Sequence, residues 1–304
     1  MGTGRVLITG GTGFIGRALS VELAAAGYEV VVVSRDPARV AGLPEAVRLE
    51  RWDGSTAAGW GGLVDGAFGV VNLAGDNIGA GRWSAAKKRR LRDSRLRAGH
   101  AVVEAVRAAN RQPQVVIQAS AVGYYGDRGD EVLDETSRPG RGFLAETCVA
   151  WEASTAAVQE LGVRHVVARS GIVLGREDGA LPRLVLPYRV FVGGPLGDGR
   201  QWMPWIHLAD EIAALRFLLE QEAGGAFNLT APQPLPNAEF GRSLASVLHR
   251  PSVFRVPQFV LRAALGEMSE IVLAGQRALP HGLLALGFGF RFNEARAALV
   301  DLLD

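Results

Sequence analysis

Gly10-Gly11-Thr12-Gly13-Phe14-Ile15-Gly16 constrains this chain more than any other segment. An apolar run, Arg5-Val6-Leu7-Ile8-Thr9, precedes it, and a helical pattern follows from Phe14 to Ala26. Gly27 then stands where a left-handed stop residue would end that helix. Val30-Val31-Val32-Val33 reads as a second strand, β-branched throughout and suited to a parallel sheet. Strand, tight glycine turn, helix and strand form the opening unit of a dinucleotide-binding fold. Glycines let the backbone turn sharply beside a pyrophosphate, and the helix N-terminus offers free N–H groups and a favourable dipole. Gly11, Gly13 and Gly16 satisfy the G-x-G-x-x-G spacing, and Gly10, Gly13 and Gly16 stand three apart.

The pattern continues along the chain. Apolar runs recur at 67–73, 115–119 and 163–168, separated by helical stretches at about 83–109 and 143–161. This alternation predicts an α/β, Rossmann-type, doubly wound parallel sheet with helices on both faces. Beyond Arg169 the texture changes to Gly- and Pro-rich sequence through about 206. A helix at 208–220 and a strand at 226–229 follow, and then helices at about 237–248, 257–265 and 293–302. We expect an NADP-binding domain over 1–230, with substrate-lobe insertions from about 170, and a small, mostly helical C-terminal lobe over 231–304.

The end of the second strand bears on the choice of cofactor. An acid there binds a ribose 2′-OH, whereas arginine suits a 2′-phosphate. Ser34 and Arg35 offer a hydroxyl and a guanidinium fork, which favours NADP. Asp36 competes, but Asp36-Pro37 also reads as a helix N-cap with Pro at N1.

Composition excludes several classes. The one cysteine, Cys148, rules out an intramolecular disulfide and a Cys-rich zinc site. The histidines are scattered, without metal spacing. There is no apolar run long enough for a membrane helix and no signal-peptide pattern, so a cytoplasmic location is expected. Eight basic residues fall within 82–97 against one acid, Asp93, with Lys88, Arg92 and Arg95 on one helix face. No recognition fold or interleaved aromatics accompany them, so a solvated face is expected rather than nucleic-acid binding. The expected partner is a small-molecule substrate, and a homodimer is left open.

Several stretches resemble a known family. Thr9 to Gly16 is similar to the opening of extended and atypical short-chain dehydrogenases/reductases, and Asn72-Leu73-Ala74-Gly75 to the turn after their fourth strand. Ser120 to Asp127, Arg169 to Gly175, Gly199 to His207, Gly266-Glu267-Met268 and Gln276-Arg277 narrow the likeness to the SDR39U1-like epimerase-family subgroup. The resemblance implies an NADP-dependent oxidoreductase or nucleotide-sugar epimerase-like enzyme. Thr12, Gly13, Phe14 and Ile15 would wrap the pyrophosphate, with Ser34 and Arg35 on the 2′-phosphate. Leu73 and Ala74 would line the adenosine side, Arg95 would contact the cofactor, and Val173 would approach the nicotinamide.

Such enzymes generally use a Ser or Thr with a Tyr and a Lys four residues apart. The chain has four tyrosines and two lysines, Lys87 and Lys88. The fourth residue after Tyr28 is Val32, after Tyr124 Arg128, after Tyr125 Gly129 and after Tyr188 Val192, so no such pair exists. Alignment on Glu152 puts Leu144 at the tyrosine position and Cys148 at the lysine position; Cys148 reads as a small buried residue. The remaining catalytic candidates are Ser120, at the family's hydroxyl position, and Tyr124 or Tyr125. Arg200, Trp202 and His207 are candidate substrate contacts, with a cap or core role the competing reading for His207. The alternative function is an NADP(H)-binding regulatory or sensing protein linked to cell division, motivated by the missing pair.

Overall fold

The apolar runs assemble, in a computed structural model that describes residues 4–304, into one seven-stranded parallel sheet. Its strands are β1 (Arg5–Thr9), β2 (Glu29–Ser34), β3 (Arg48–Arg51), β4 (Gly69–Asn72), β5 (Val115–Ala121), β6 (Arg164–Ser170) and β7 (Gly225–Leu229). They stand in the order β7-β6-β5-β4-β1-β2-β3. The order reverses between β1 and β4, and a crevice opens outside the C-terminal ends of strands at such a switch point. This is the doubly wound Rossmann arrangement that the alternation predicts.

Helices cover both faces. α1 (Phe14–Ala25) and α5 (Leu208–Glu220) bury Leu19, Leu23, Ile212 and Leu215 against Val6, Ile8 and Val32. α2 (Ala85–Ala108) covers the other face, where Ala98, Val102 and Val106 meet Leu7, Val31 and Val70. α3 (Phe143–Ala153) packs beside α2. Successive strand residues thus point to opposite cores. Gly27 has φ +86° just past α1, as expected of its stop residue. Ser84 caps α2, its Oγ accepting the Lys87 amide at 3.2 Å.

The structure corrects one expected element and adds two that the sequence reading did not include. The helix expected over 143–161 breaks after α3 and resumes as a 3-10 segment, Ala156–Leu161. At the break, Ser154 Oγ donates to the Trp151 carbonyl at 2.6 Å and Thr155 Oγ1 bonds to His165 Nε2 at 2.9 Å. These side chains compete with the helical ladder. The Gly- and Pro-rich stretch contains a helix, α4 (Leu181–Arg189), which accommodates Pro182 in its first turn. β3 has no apolar run to announce it, because it is a half-exposed edge strand.

The small lobe draws on both sides of residue 230. α4, α6 (Asn237–Leu248) and α10 (Ala295–Leu303) share one core of Leu181, Val185, Phe240, Leu244 and Leu299, with Leu174 and Trp205 from short strands. Strands Trp202–Met203 and Leu235–Pro236 pair antiparallel within it. α7 (Gln258–Leu265), α8 (Glu270–Leu273) and α9 (His281–Ala285) complete the chain. No helix among the described residues is long and apolar enough to cross a membrane.

The tightest point of the fold is the first turn of α1. A Cβ at Gly16 would collide with the Gly10 carbonyl oxygen and sit 2.6 Å from the Gly11 Cα. Backbone cannot yield as a side chain can, so Gly16→Ala should lower stability by about 1–3 kcal/mol in urea denaturation.

Candidate active site

At the C-terminal edge, the turn after β1 is held by Gly10 at φ +68°, with its carbonyl accepting the Gly13 amide at 3.0 Å. Gly10 abuts the turn after β4: a Cβ there would lie 2.7 Å from the Leu73 carbonyl carbon. Gly13 differs from its neighbours. It is exposed, and an added Cβ would meet only the Gly10 oxygen, at 3.3 Å. Its missing side chain therefore leaves space outward, above the N-terminus of α1. Phe14 turns its ring against Gly175 and Gly179, while Thr12 and Ile15 are half-buried.

A buried polar ladder pins these turns. Thr9 Oγ1 donates to Asn72 Oδ1 at 2.5 Å, Asn72 Nδ2 to Gln118 Oε1 at 2.7 Å, and Gln118 Nε2 to the Ala119 carbonyl at 2.7 Å. The Ala74 amide donates to Thr9 Oγ1 at 3.3 Å. Every buried amide group in the ladder has a partner, so β1, β4 and β5 are locked in register where a ligand would lie.

At the end of β2, Ser34 is half-buried and Arg35 is exposed, its stem over Gly54. Asp36 stands before a 3-10 turn, Pro37–Arg39, with Pro at N1. Its side chain caps no amide and pairs with Arg39 at 3.1 Å. Among the described residues, no carboxylate pairs with Arg35.

The catalytic candidates converge on a different object from the one expected. Glu152 on α3 and Arg169 on β6 form a bidentate ion pair, with Nε–Oε1 and Nη2–Oε2 both 2.9 Å. Ser120 donates to Glu152 Oε1 at 2.6 Å, so its proton is directed away from the crevice. Tyr125 is fully buried, donates to Asn228 Oδ1 at 2.7 Å and accepts from Arg169 Nη1 at 3.1 Å. Burial pushes its phenol up to about 12, against the opposing pull of Arg169. Tyr125 is a structural member of this network, fully buried and outside the lining of the cleft. The Arg169 guanidinium lies 3.5 Å from the centre of the Tyr124 ring. Arg128, four residues after Tyr124, is instead bidentate to Glu131 at 2.7 and 2.8 Å.

Leu144 and Cys148 do face the crevice, as the alignment on Glu152 implies. Neither carries usable proton chemistry: burial, then Glu152, pushes the Cys148 thiol up to about 11.

Of the expected substrate contacts, only Trp202 lines the cleft; its Nε1 donates to Asp130 at 2.9 Å. Arg200 is exposed and outside it. His207 is buried and caps α5, its Nδ1 accepting the Ala209 amide at 3.0 Å while its ring stacks on Phe292. Its role is that of a cap. The Val173 side chain belongs to the sheet core, and its neighbour Ile172 reaches the cleft.

The cleft itself, about 360 Å³, lies between α2, α3, the end of β6 and the small lobe. Phe143, Trp151, Leu184, Met203 and Ile271 give it apolar walls. Thr147 Oγ1, Trp151 Nε1 and Gln201 Oε1 are buried along it without partners. Arg95 reaches in from α2 and forms no ion pair among the described residues; Nη1 donates to the carbonyls of Leu91 and Asp76, and the guanidinium packs on the Trp151 ring. Burial pulls its pKa below the usual arginine value. Unpaired donors and acceptors and a desolvated cation give this mainly apolar cleft a few groups that can hold the polar atoms of a ligand.

Three groups escaped sequence reasoning. Glu152 served only to align α3, and Arg169 only as part of a family stretch. Glu211, on α5, carried no signal, because its significance lies in burial alone.

The model of the NAD dependent epimerase/dehydratase family matches residues 6–230. The chain belongs to that family. A domain of unknown function, DUF1731, matches 256–302, within the small lobe. The epimerase family protein ML0860 of Mycobacterium leprae is 40% identical, covering 97% of this chain and 94% of its own. The chloroplastic SDR39U1 homolog of Arabidopsis thaliana is 39% identical, over 97% and 85%. A crystal structure of the human epimerase family protein SDR39U1 (isoform 2), with NADPH, superposes with a TM-score of 0.87 at 34% identity, covering 98% of both chains. These relatives support the SDR39U1-like resemblance and the fold.

Glu152 and Arg169 depend on each other. Glu152→Ala should lower stability by roughly 3–5 kcal/mol in chemical denaturation, because it strands a buried guanidinium.

Proposed function

We propose that this chain is an NADP-dependent oxidoreductase of the short-chain class that transfers hydride to or from a small, largely apolar substrate. One observation carries the reading: the glycine-rich groove opens into an apolar cleft that holds unpaired polar groups and a desolvated arginine. Gly10, Thr12, Gly13, Phe14, Ile15 and Gly16 would hold the pyrophosphate through backbone groups and the α1 N-terminus. Leu73 and Ala74 would border the adenosine. Ser34 and Arg35 would take a 2′-phosphate, in keeping with the NADPH of the human relative. Arg95 would meet a cofactor phosphate or ribose oxygen, and the backbone near Val173 the nicotinamide. When bound, the nicotinamide supplies or accepts the hydride.

The cleft walls argue against a nucleoside-diphosphate sugar as substrate. A second pyrophosphate would need its own cations, and among the described residues Arg95 is the one cation that lines the cleft. Trp202 and Phe143 suit a ring or an aliphatic carbonyl compound instead. Ser120, bound to Glu152, serves to set the end of β5 and can accept a hydrogen bond from substrate.

A second reading has its own observation. Leu144 and Cys148 occupy the positions of the usual dyad, which fits a cofactor-sensing protein with little turnover.

Replacing Ser34 and Arg35 together by Ala should weaken NADPH about 10- to 100-fold in a fluorescence titration, with NADH nearly unaffected. Equal loss for both would refute the 2′-phosphate assignment. Single-turnover mixing of the NADPH complex with apolar aldehydes, ketones and quinones should oxidise the cofactor for at least one of them. No oxidation by any compound, with NADPH demonstrably bound, would favour the sensing reading.

A further inference from the structure

Glu211 is 1% exposed, and no cation among the described residues pairs with it. Its Oε1 accepts the Ser170 hydroxyl at 2.6 Å, while Oε2 is buried without a partner. The charged groups around it are committed elsewhere. Arg169 turns to the opposite face of the sheet and grips Glu152. Asp210 accepts the amides of Arg291 and Phe292 at 2.8 and 2.9 Å. His207 lies 3.2 Å from Asp301. Arg216 pairs with Glu22 and Glu220. Arg17 on α1 donates to the carbonyls of Thr12 and Ala41, and Arg164 to those of Leu218, Leu219 and Ala223. Burial pushes the Glu211 carboxyl up to about 8. It therefore carries a proton at neutral pH, since an unpaired buried carboxylate is costly.

Ser170 connects this carboxyl to the cleft. It ends β6, is half-buried and forms part of the cleft wall. β6 is four strands from β2, which bears Ser34 and Arg35. At about 4.8 Å per strand the two strand ends lie roughly 19 Å apart, on opposite sides of the Gly10–Gly16 turn. Ser170 thus falls at the nicotinamide end.

We propose that Ser170 and Glu211 are the proton-transfer pair of this site, replacing the tyrosine and lysine that α3 lacks. The inference rests on the oxidoreductase reading. Carbonyl reduction needs one hydride, which the reduced cofactor supplies, and one proton. Unlike the ion-paired Glu152, the protonated Glu211 can itself donate to Ser170 Oγ, which frees the Ser170 O–H to turn from Glu211 to the substrate oxygen; that O–H breaks as its proton passes to the substrate, and Ser170 regains a proton from Glu211. The alcohol leaves, and Glu211 remains as carboxylate, reprotonated from solvent. Oxidation runs the same steps in reverse. Ser170 is the catalytic group, and Glu211 is a positioning residue that refills it.

The test uses NADP⁺ and NADPH as probes and reads protons rather than turnover. The oxidised nicotinamide is cationic and favours the Glu211 carboxylate. At pH 7, with an indicator dye, saturating NADP⁺ should release close to one proton per chain from the wild type, and NADPH should release far less. The 2′-phosphate is common to both, so its own titration cancels. Glu211→Gln, isosteric with the protonated acid, should bind both cofactors and show no difference between them. Difference infrared spectra should show the protonated-carboxyl band lost on NADP⁺ binding in the wild type alone.

A second measurement needs no cofactor. Between pH 4.5 and about 8 the folded chain holds a proton that the unfolded chain has released, so stability falls as pH rises through that window. Glu211→Gln removes this contribution, and the wild-type Tm should drop relative to the variant from pH 5 to pH 8. Parallel Tm curves, or equal proton release in wild type and Glu211→Gln with both cofactors bound, would overturn the assignment. Failure of the wild type to bind either cofactor would instead overturn the oxidoreductase reading.

Discussion

The bidentate pair of Glu152 and Arg169 organises the region where chemistry is expected. It ties α3 to β6 across the C-terminal edge and gathers Ser120 at its carboxylate and Tyr124 and Tyr125 at its guanidinium. A buried ion pair survives only when its geometry is good and its remaining hydrogen-bonding groups are satisfied. Here Tyr125 and the Glu135 carbonyl satisfy Arg169, and Ser120 satisfies Glu152. The cost is functional: hydroxyls that complete this network are unavailable for proton transfer to a ligand. The residues most like a short-chain catalytic set are those the fold has used to hold itself together.

Both lysines meet a similar fate. Lys87 is buried and pairs with Asp76 at 2.9 Å, fixing the turn after β4 on α2. Hydrogen bonding from Lys87 holds the Asp76 carboxyl below its usual range. Lys88 reaches across to Glu267 in the small lobe, beside Arg82, which donates to the Ala263 carbonyl. The basic run therefore divides. Arg89 and Arg92 form the solvated face its composition suggests, while Lys87, Lys88, Arg82 and Arg95 fasten loops, lobe and cleft. No lysine is left to lower a phenol pKa.

What was legible in the chain follows from locality. The glycine turn, Gly27 and the β-branched runs are conditions on neighbouring residues, so β1, α1, β2, β5 and the helix at 208–220 could be read directly. β3, with its Arg-Leu-Glu-Arg sequence, gains its identity only by pairing with β2. α4 hides behind its prolines. Tyr124 and Tyr125 look alike in sequence, yet packing buries one completely and lays an arginine on the other. The place of His207 before the helix at 208–220 already favours a cap or core role over a ligand contact, and Phe292 and Asp301 complete that role. Glu211 is the extreme case: in sequence it is one more acid in a helix, and only its surroundings make it unusual.

That asymmetry bears on where the proton chemistry of such a fold can reside. Strand residues alternate between faces, so the end of β6 offers two different environments one residue apart. Arg169 enters the α3 side, already saturated by Glu152 and Tyr125. Ser170 enters the α5 side, where Glu211 keeps an unused carboxyl oxygen in an apolar setting. With Leu144 and Cys148 lining the α3 side of the cleft, that side contributes shape and apolar surface. Proton traffic then has one geometrically open route, across the sheet edge to the other layer. A one-residue step along β6 thus separates the part of the site that supplies rigidity from the part that holds an exchangeable proton.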